Sequence, residues 1–124
     1  LGIIPGDGGA WLLPRIIGFS RATELALTGD MLTASEALAC GLVSHVVPDS
    51  ELMPKAREIA AKIAANPPHA TRMTKRLLRE GQVATLSNIL EMSAAMQSLA
   101  HATSDHDEAI AAFLEKRSPN FSGD

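Results

Sequence analysis

Several features that usually announce a function are scarce in this chain. Its 124 residues include one cysteine, Cys40, and only 3% aromatic residues. A single thiol excludes an internal disulfide and offers no cysteine pair to a metal, which fits a reducing compartment and places the protein in the cytoplasm. No stretch reaches the 18 apolar residues of a membrane-spanning helix, and there is no signal-like segment, repeat or low-complexity run. Neither sign of charge dominates. With 14 acidic and 11 basic residues the formal net charge is -3, too mild to draw a nucleic acid or a membrane surface by field alone, so neither partner is expected. The histidines, His45, His69, His101 and His106, lack the His-x3-His spacing of a helical metal pair, and no metal is expected.

What is present is an apolar content of 46%, typical of a globular chain of ordinary single-domain length. The chain opens on an apolar run, Leu1, Ile3 and Ile4, with no cap or turn in front of it, which reads as a start in mid-fold. Directly after it stands the glycine-rich loop Pro5-Gly6-Asp7-Gly8-Gly9. It has neither the spacing of a phosphate loop, Gly-x4-Gly-Lys-Ser/Thr, nor that of a dinucleotide fingerprint, Gly-x-Gly-x-x-Gly. Glycine is used where the chain takes positive φ or where something approaches the backbone closely, so a tight turn or a substrate contact remains.

Helices follow with clear punctuation. Pro14 interrupts residues 9 to 17, predicting a short or broken helix. Ser20 is placed to cap the next, which Gly29 ends; Thr33 and Glu36 have capping-box spacing ahead of a helix that Gly41 stops. LVSHVV, residues 42 to 47, reads as the one strand, closed by Pro48. Asp49 or Ser50 opens a helix in which Leu52, Ala56, Ile59, Ala60 and Ile63 mark a buried face, ended by Asn66-Pro67-Pro68. Ala70, Met73, Leu77 and Leu78 mark another, Leu86 to Leu99 a longer one, and Ser104 is placed to cap the last, stopped by Ser118-Pro119. Arg72, Lys75, Arg76 and Arg79 form a basic stripe, read as a solvated face. So many alanines with so few aromatics predict close packing on small side chains, with apolar surface left for another chain or another part of this one.

IPGDGG, LTGDMLTASEALACGLVSHVVP and HATSDHDEAIAAFLEKRSPNF together resemble consecutive signatures of the crotonase superfamily, the enoyl-CoA hydratases and isomerases. The resemblance implies that this mainly α chain is the C-terminal part of a crotonase-like ββα spiral (α/β) fold. Residues 1–48 would end the spiral core and carry the active-site loop 5–9. Residues 49–124 would be the helical region that covers CoA and forms a trimer or a dimer of trimers. The implied chemistry is hydration or isomerisation of an acyl-CoA substrate through a thioester enolate held by two backbone N–H groups, with no cofactor beyond the CoA of the substrate. Those donors and both glutamates of the hydratases would lie upstream of Leu1.

Within the chain, the resemblance aligns Gly6 with a glycine whose backbone N–H positions the attacking water. Isomerising relatives carry an Asp at that same position; Asp7 stands one residue later, and read from the residues alone it is a helix cap. Pro5 and Gly8 would border the substrate. Phe113 matches an apolar wall of the acyl or adenine region, and Lys116 a lysine near a CoA phosphate; on the residues alone they read equally as a core phenylalanine and a solvated lysine. Gln97 stands where some hydratases have an aromatic residue. A non-catalytic helical oligomerisation module is the alternative from another class.

Overall fold

The computed structural model describes residues 2–124; Leu1, the first residue of the opening apolar run, lies outside them. Every regular element among the described residues is helical: α1 (Gly9–Ile17), α2 (Phe19–Thr28), α3 (Ala34–Ala39), a 3₁₀ turn (Asp49–Glu51), α4 (Leu52–Ala64), α5 (Pro68–Glu80), α6 (Leu86–His101) and α7 (Ser104–Glu115). The chain divides into two compact units, residues up to Leu52 and Met53–Asp124.

In the first unit α1 packs on α2. Pro14 sits inside α1, which stays short and ends at Gly18, φ 83°. Gly18, not the expected Ser20, stands at the N-cap of α2, and Ser20 lies within the helix, because the chain turns two residues earlier than a side-chain cap would place it. Gly29 closes α2 in the left-handed conformation, φ 74°, its N–H donating to Leu25 O at 3.0 Å. The capping box of α3 is complete: Glu36 N donates to Thr33 Oγ1 at 3.3 Å and Thr33 N to Glu36 Oε2 at 2.8 Å. Its C-terminus is a Schellman closure, Leu42 N to Ala37 O at 2.9 Å and Gly41 N to Leu38 O at 3.1 Å, with Gly41 at φ 77°.

That closure contributes to correcting the strand expected at 42–47. These residues form no ladder, and Val43 and Val46 are 38% and 43% exposed. A strand exists only where a neighbour completes its backbone hydrogen bonds, and the described residues supply none.

In the second unit α5 packs on α6 and α6 on α7. Ala70, Met73 and Leu77 of α5 face Met96 and Ala100 of α6 across a small gap. The caps of α6 and α7 are threonines: Thr85 Oγ1 accepts from Asn88 N at 3.3 Å and Thr103 Oγ1 from His106 N at 3.2 Å, so the cap of α7 is Thr103 and not the expected Ser104. The face of α4 expected to be buried is open, with Leu52 60% and Ile63 53% exposed. Among the described residues the only buried apolar side chains are Ala22, Ala37 and Ala112. Three alanines are far too little apolar burial for a chain of this length, so within each unit the larger apolar side chains stay open.

Candidate functional site

The loop from Pro5 to Gly9 is built by its own backbone. Gly6 N donates to Ile4 O at 2.8 Å, a three-residue turn about Pro5, whose fixed φ suits it. Gly8 then takes φ 95° and begins α1, its carbonyl accepting from Leu12 N at 2.9 Å and Trp11 N at 3.0 Å. Asp7 Oδ1 accepts from Gly9 N at 3.3 Å, a helix-start contact that places an anion at the positive end of the helix. A Cβ on Gly9 would stand 3.2 Å from Pro5 Cβ, so glycine there lets the loop close against the helix. Pro5, Gly6 and Asp7 are exposed, and Pro5 borders an apolar cleft of about 360 Å³ that Leu13, Phe19, Ala22 and Ala26 also line. The Gly6 N–H is thus engaged with its own chain, and the Asp7 carboxylate with the helix start.

The second group of expected site residues is in the other unit. Phe113, 83% exposed, lies in the last turn of α7, and Lys116 is the residue that ends the helix. Lys116 is the only described residue other than glycine with positive φ, 56°. A left-handed backbone costs a residue with a Cβ roughly 1–2 kcal/mol, and glycine occupies the comparable ends of α2 and α3. Hydrogen bonds from Lys116 N to Phe113 O, 3.3 Å, and from Arg117 N to Ala112 O, 3.0 Å, hold the turn.

Beyond that turn the chain folds back on α7. The Arg117 guanidinium meets Glu108 through both oxygens, with Nη2 to Oε2 at 2.7 Å, and its Nε donates to Glu115 Oε2 at 2.6 Å. Asn120 N donates to Glu108 Oε1 at 2.8 Å. The Arg117 guanidinium, and after it the Asn120 N–H, hold the Glu108 carboxyl down at about 2, and the same ion pairs raise the pKa of Arg117. One turn earlier Asp105, 1% exposed, accepts from Ser122 N at 2.7 Å and Gly123 N at 3.1 Å. Sequence reasoning missed Glu108, Arg117 and Asp105. Apart from the Arg117–Glu115 contact, their partners lie 9 to 18 residues away across a chain reversal, and no helical or strand period connects such positions.

The basic stripe on α5 is exposed, and none of its four cations pairs with a carboxylate among the described residues. His101 and His106 stack with ring centroids 4.5 Å apart. No three His, Cys, Asp or Glu side chains converge as metal ligands, and no helix is long and apolar enough to cross a membrane, among the described residues.

The sequence profile of the enoyl-CoA hydratase/isomerase family matches residues 1–124. The chain is 39% identical over 123 residues to the 1,2-epoxyphenylacetyl-CoA isomerase of Escherichia coli K12, covering 99% of this chain and 47% of that protein. It is 40% identical over 121 residues to the crotonyl-CoA hydratase of Syntrophomonas wolfei, covering 98% and 46% respectively. The crystal structure of an enoyl-CoA hydratase from Bacillus anthracis superposes with a TM-score of 0.96 at 44% identity, covering 99% of this chain and 48% of that one. These helices are therefore part of the crotonase-type fold. The chain belongs to the enoyl-CoA hydratase/isomerase family. It spans about half the length of the relatives it matches.

Proposed function

We propose that the whole protein is an enoyl-CoA hydratase, adding water across the double bond of a 2-enoyl-CoA. The observation that carries this reading is the match along the full chain to a hydratase at 40% identity, with the Pro5–Gly9 loop intact at the start of a helix. Developing negative charge on the thioester oxygen would be held by two backbone N–H groups, and a pair of glutamates would handle the water and the proton. In this reading those groups come from the part of the protein that precedes this chain. Within the chain, Pro5, Gly6 and Gly8 keep bulky side chains away from the reacting carbons, and the Gly6 N–H exchanges its bond to Ile4 for one to water. Phe113 covers the ligand with an apolar wall, and Lys116 meets a CoA phosphate. No cofactor is needed beyond the CoA of the substrate, and the protein works in the cytoplasm.

The open faces of α6 and α7, with Leu90 59%, Leu99 64% and Leu114 72% exposed, support assembly into a trimer or a dimer of trimers. Light scattering on the whole protein should return three or six copies; a monomer would contradict this assembly. Hydration of crotonyl-CoA by the whole protein, followed as loss of enoyl absorbance, tests the reaction. No turnover of that substrate would reject the hydratase reading. Isomerisation is the second reading, favoured by the similarity to an epoxyphenylacetyl-CoA isomerase, and Asp7→Asn separates the two. A helix-capping Asp7 leaves kcat almost unchanged, whereas an acid–base Asp7 loses about 100-fold or more.

A further inference from the structure

Glycine is the residue that takes a left-handed helix end without strain, and it does so after α2 and α3. At the end of α7 the chain instead keeps a lysine at φ 56°, and an observed backbone outlier of this kind points toward function rather than toward stability. Such a conformation persists only where its surroundings over-determine it, and here they do. The turn is bonded at Phe113 O and Ala112 O, and Ala112, 2% exposed, cannot shift easily. The next residue, Arg117, is locked by a two-oxygen pair to Glu108, which also accepts from Asn120 N. Glu108 therefore joins three points: the helix two turns before its end, the residue after Lys116, and the returning tail.

We propose that Glu108 and Arg117 are positioning residues for Lys116, holding its backbone in the left-handed conformation so that its ammonium is presented to a CoA phosphate without searching rotamers of the helix end. The inference rests on the reading of Lys116 as a partner of that phosphate. Glu108 and Arg117 act here through their pairing with each other and with the chain, not through the ligand. Their carboxylate–guanidinium fork does what planar two-point pairing does best, which is to fix an orientation. Pre-ordering the chain in this way lowers the entropy lost on binding, so its effect is on affinity and not on the chemical step.

The test uses the whole protein with crotonyl-CoA and with crotonyl-pantetheine, which lacks the nucleotide and its phosphates. Lys116→Gly should raise KM for crotonyl-CoA about three- to fivefold, as for an exposed ion pair, leave kcat unchanged, and leave KM for crotonyl-pantetheine unchanged. Its melting temperature should be equal to or above that of the parent protein, because the strain is removed. Glu108→Gln should shift the same KM in the same direction, about two- to fivefold, and again spare the pantetheine thioester. Arg117→Lys, which keeps the charge and loses the fork, should do likewise and serves if Glu108→Gln fails to fold. An unchanged KM for crotonyl-CoA in folded Glu108→Gln or Arg117→Lys, beside a raised KM in Lys116→Gly, would overturn the positioning role and leave the Lys116 reading standing. An unchanged KM in Lys116→Gly, or no turnover by the parent protein, would overturn the reading and the inference with it. Equal losses on both thioesters would show a general structural effect and also overturn the positioning role.

Discussion

Asp105 shows how one side chain can hold a segment far from it in sequence. Its carboxylate is 1% exposed and is satisfied by the backbone N–H groups of Ser122 and Gly123 together with the Ser122 hydroxyl. Replacing it with Ala leaves those N–H groups without their charged acceptor, at a cost of about 2–3 kcal/mol. Urea unfolding of the whole protein should show that loss, and limited proteolysis should begin in residues 118–124. Gly8 is the opposite case, where the absence of a side chain decides. At φ 95° a Cβ is strained whatever the space around it, so Gly8→Ala should lower stability by about 1 kcal/mol or more in the same assay. Gly8 was legible as a glycine that needed a cause; Asp105 was not singled out, because nothing local marks a partner 17 residues away.

At the scale of the element, helix ends were the most legible part of the fold. Thr33 with Glu36, Gly29 and Gly41 stand where their spacing placed them, since a cap is satisfied within four residues of itself. The caps at Ser20 and Ser104 were displaced by one or two residues to Gly18 and Thr103, because several residues could serve and the packing of the helix chose among them. Thr33→Ala should destabilise the whole protein by about 1 kcal/mol, read as a shift in its urea midpoint. On α4, Glu58 lies between Lys55 and Lys62, at 2.9 Å and 2.6 Å, and the two ammonium groups hold its carboxyl at about 2. Glu108 is held at about 2 as well. Both folded values lie below the usual 4.5 of a free carboxyl, so the stability they lend is present above that value and is lost as pH falls through the window from 4.5 toward 2. Both groups face solvent and salt screens them, so the loss is modest. Urea midpoints measured from pH 6 to pH 2 should fall less steeply in Glu58→Gln than in the parent protein, in about that window.

At the scale of the molecule, what this chain leaves uncovered matters more than what it buries. In the first unit Ile3, Ile4, Phe19, Leu27 and Met31, and in the second Phe113, are each more than three-quarters exposed, more bare apolar side chain than a globular domain usually carries. Residues 1–124 made alone should therefore bind a hydrophobic dye strongly and aggregate on heating. They should also show no hydration of crotonyl-CoA, because losing even one enolate N–H donor costs about 100-fold or more in rate. Dye fluorescence, light scattering and the enoyl absorbance assay would register all three outcomes; turnover close to that of the whole protein would place the catalytic groups within this chain.

The sequence by itself determined, to within a residue or two, where helices begin and end, together with the turn at Pro5–Gly9 and the family to which its motifs point. These depend on φ preferences, caps and short spacings that act within a turn or two of chain. Only the tertiary structure decided that LVSHVV finds no ladder among the described residues and that α4 keeps its apolar face open. It alone bound the tail to Asp105 and Glu108, and left Lys116 with a left-handed backbone. Strand pairing, burial and long-range ion pairs depend on which surfaces meet in space, and a sequence pattern states what a surface can bury but not whether a neighbour arrives to bury it.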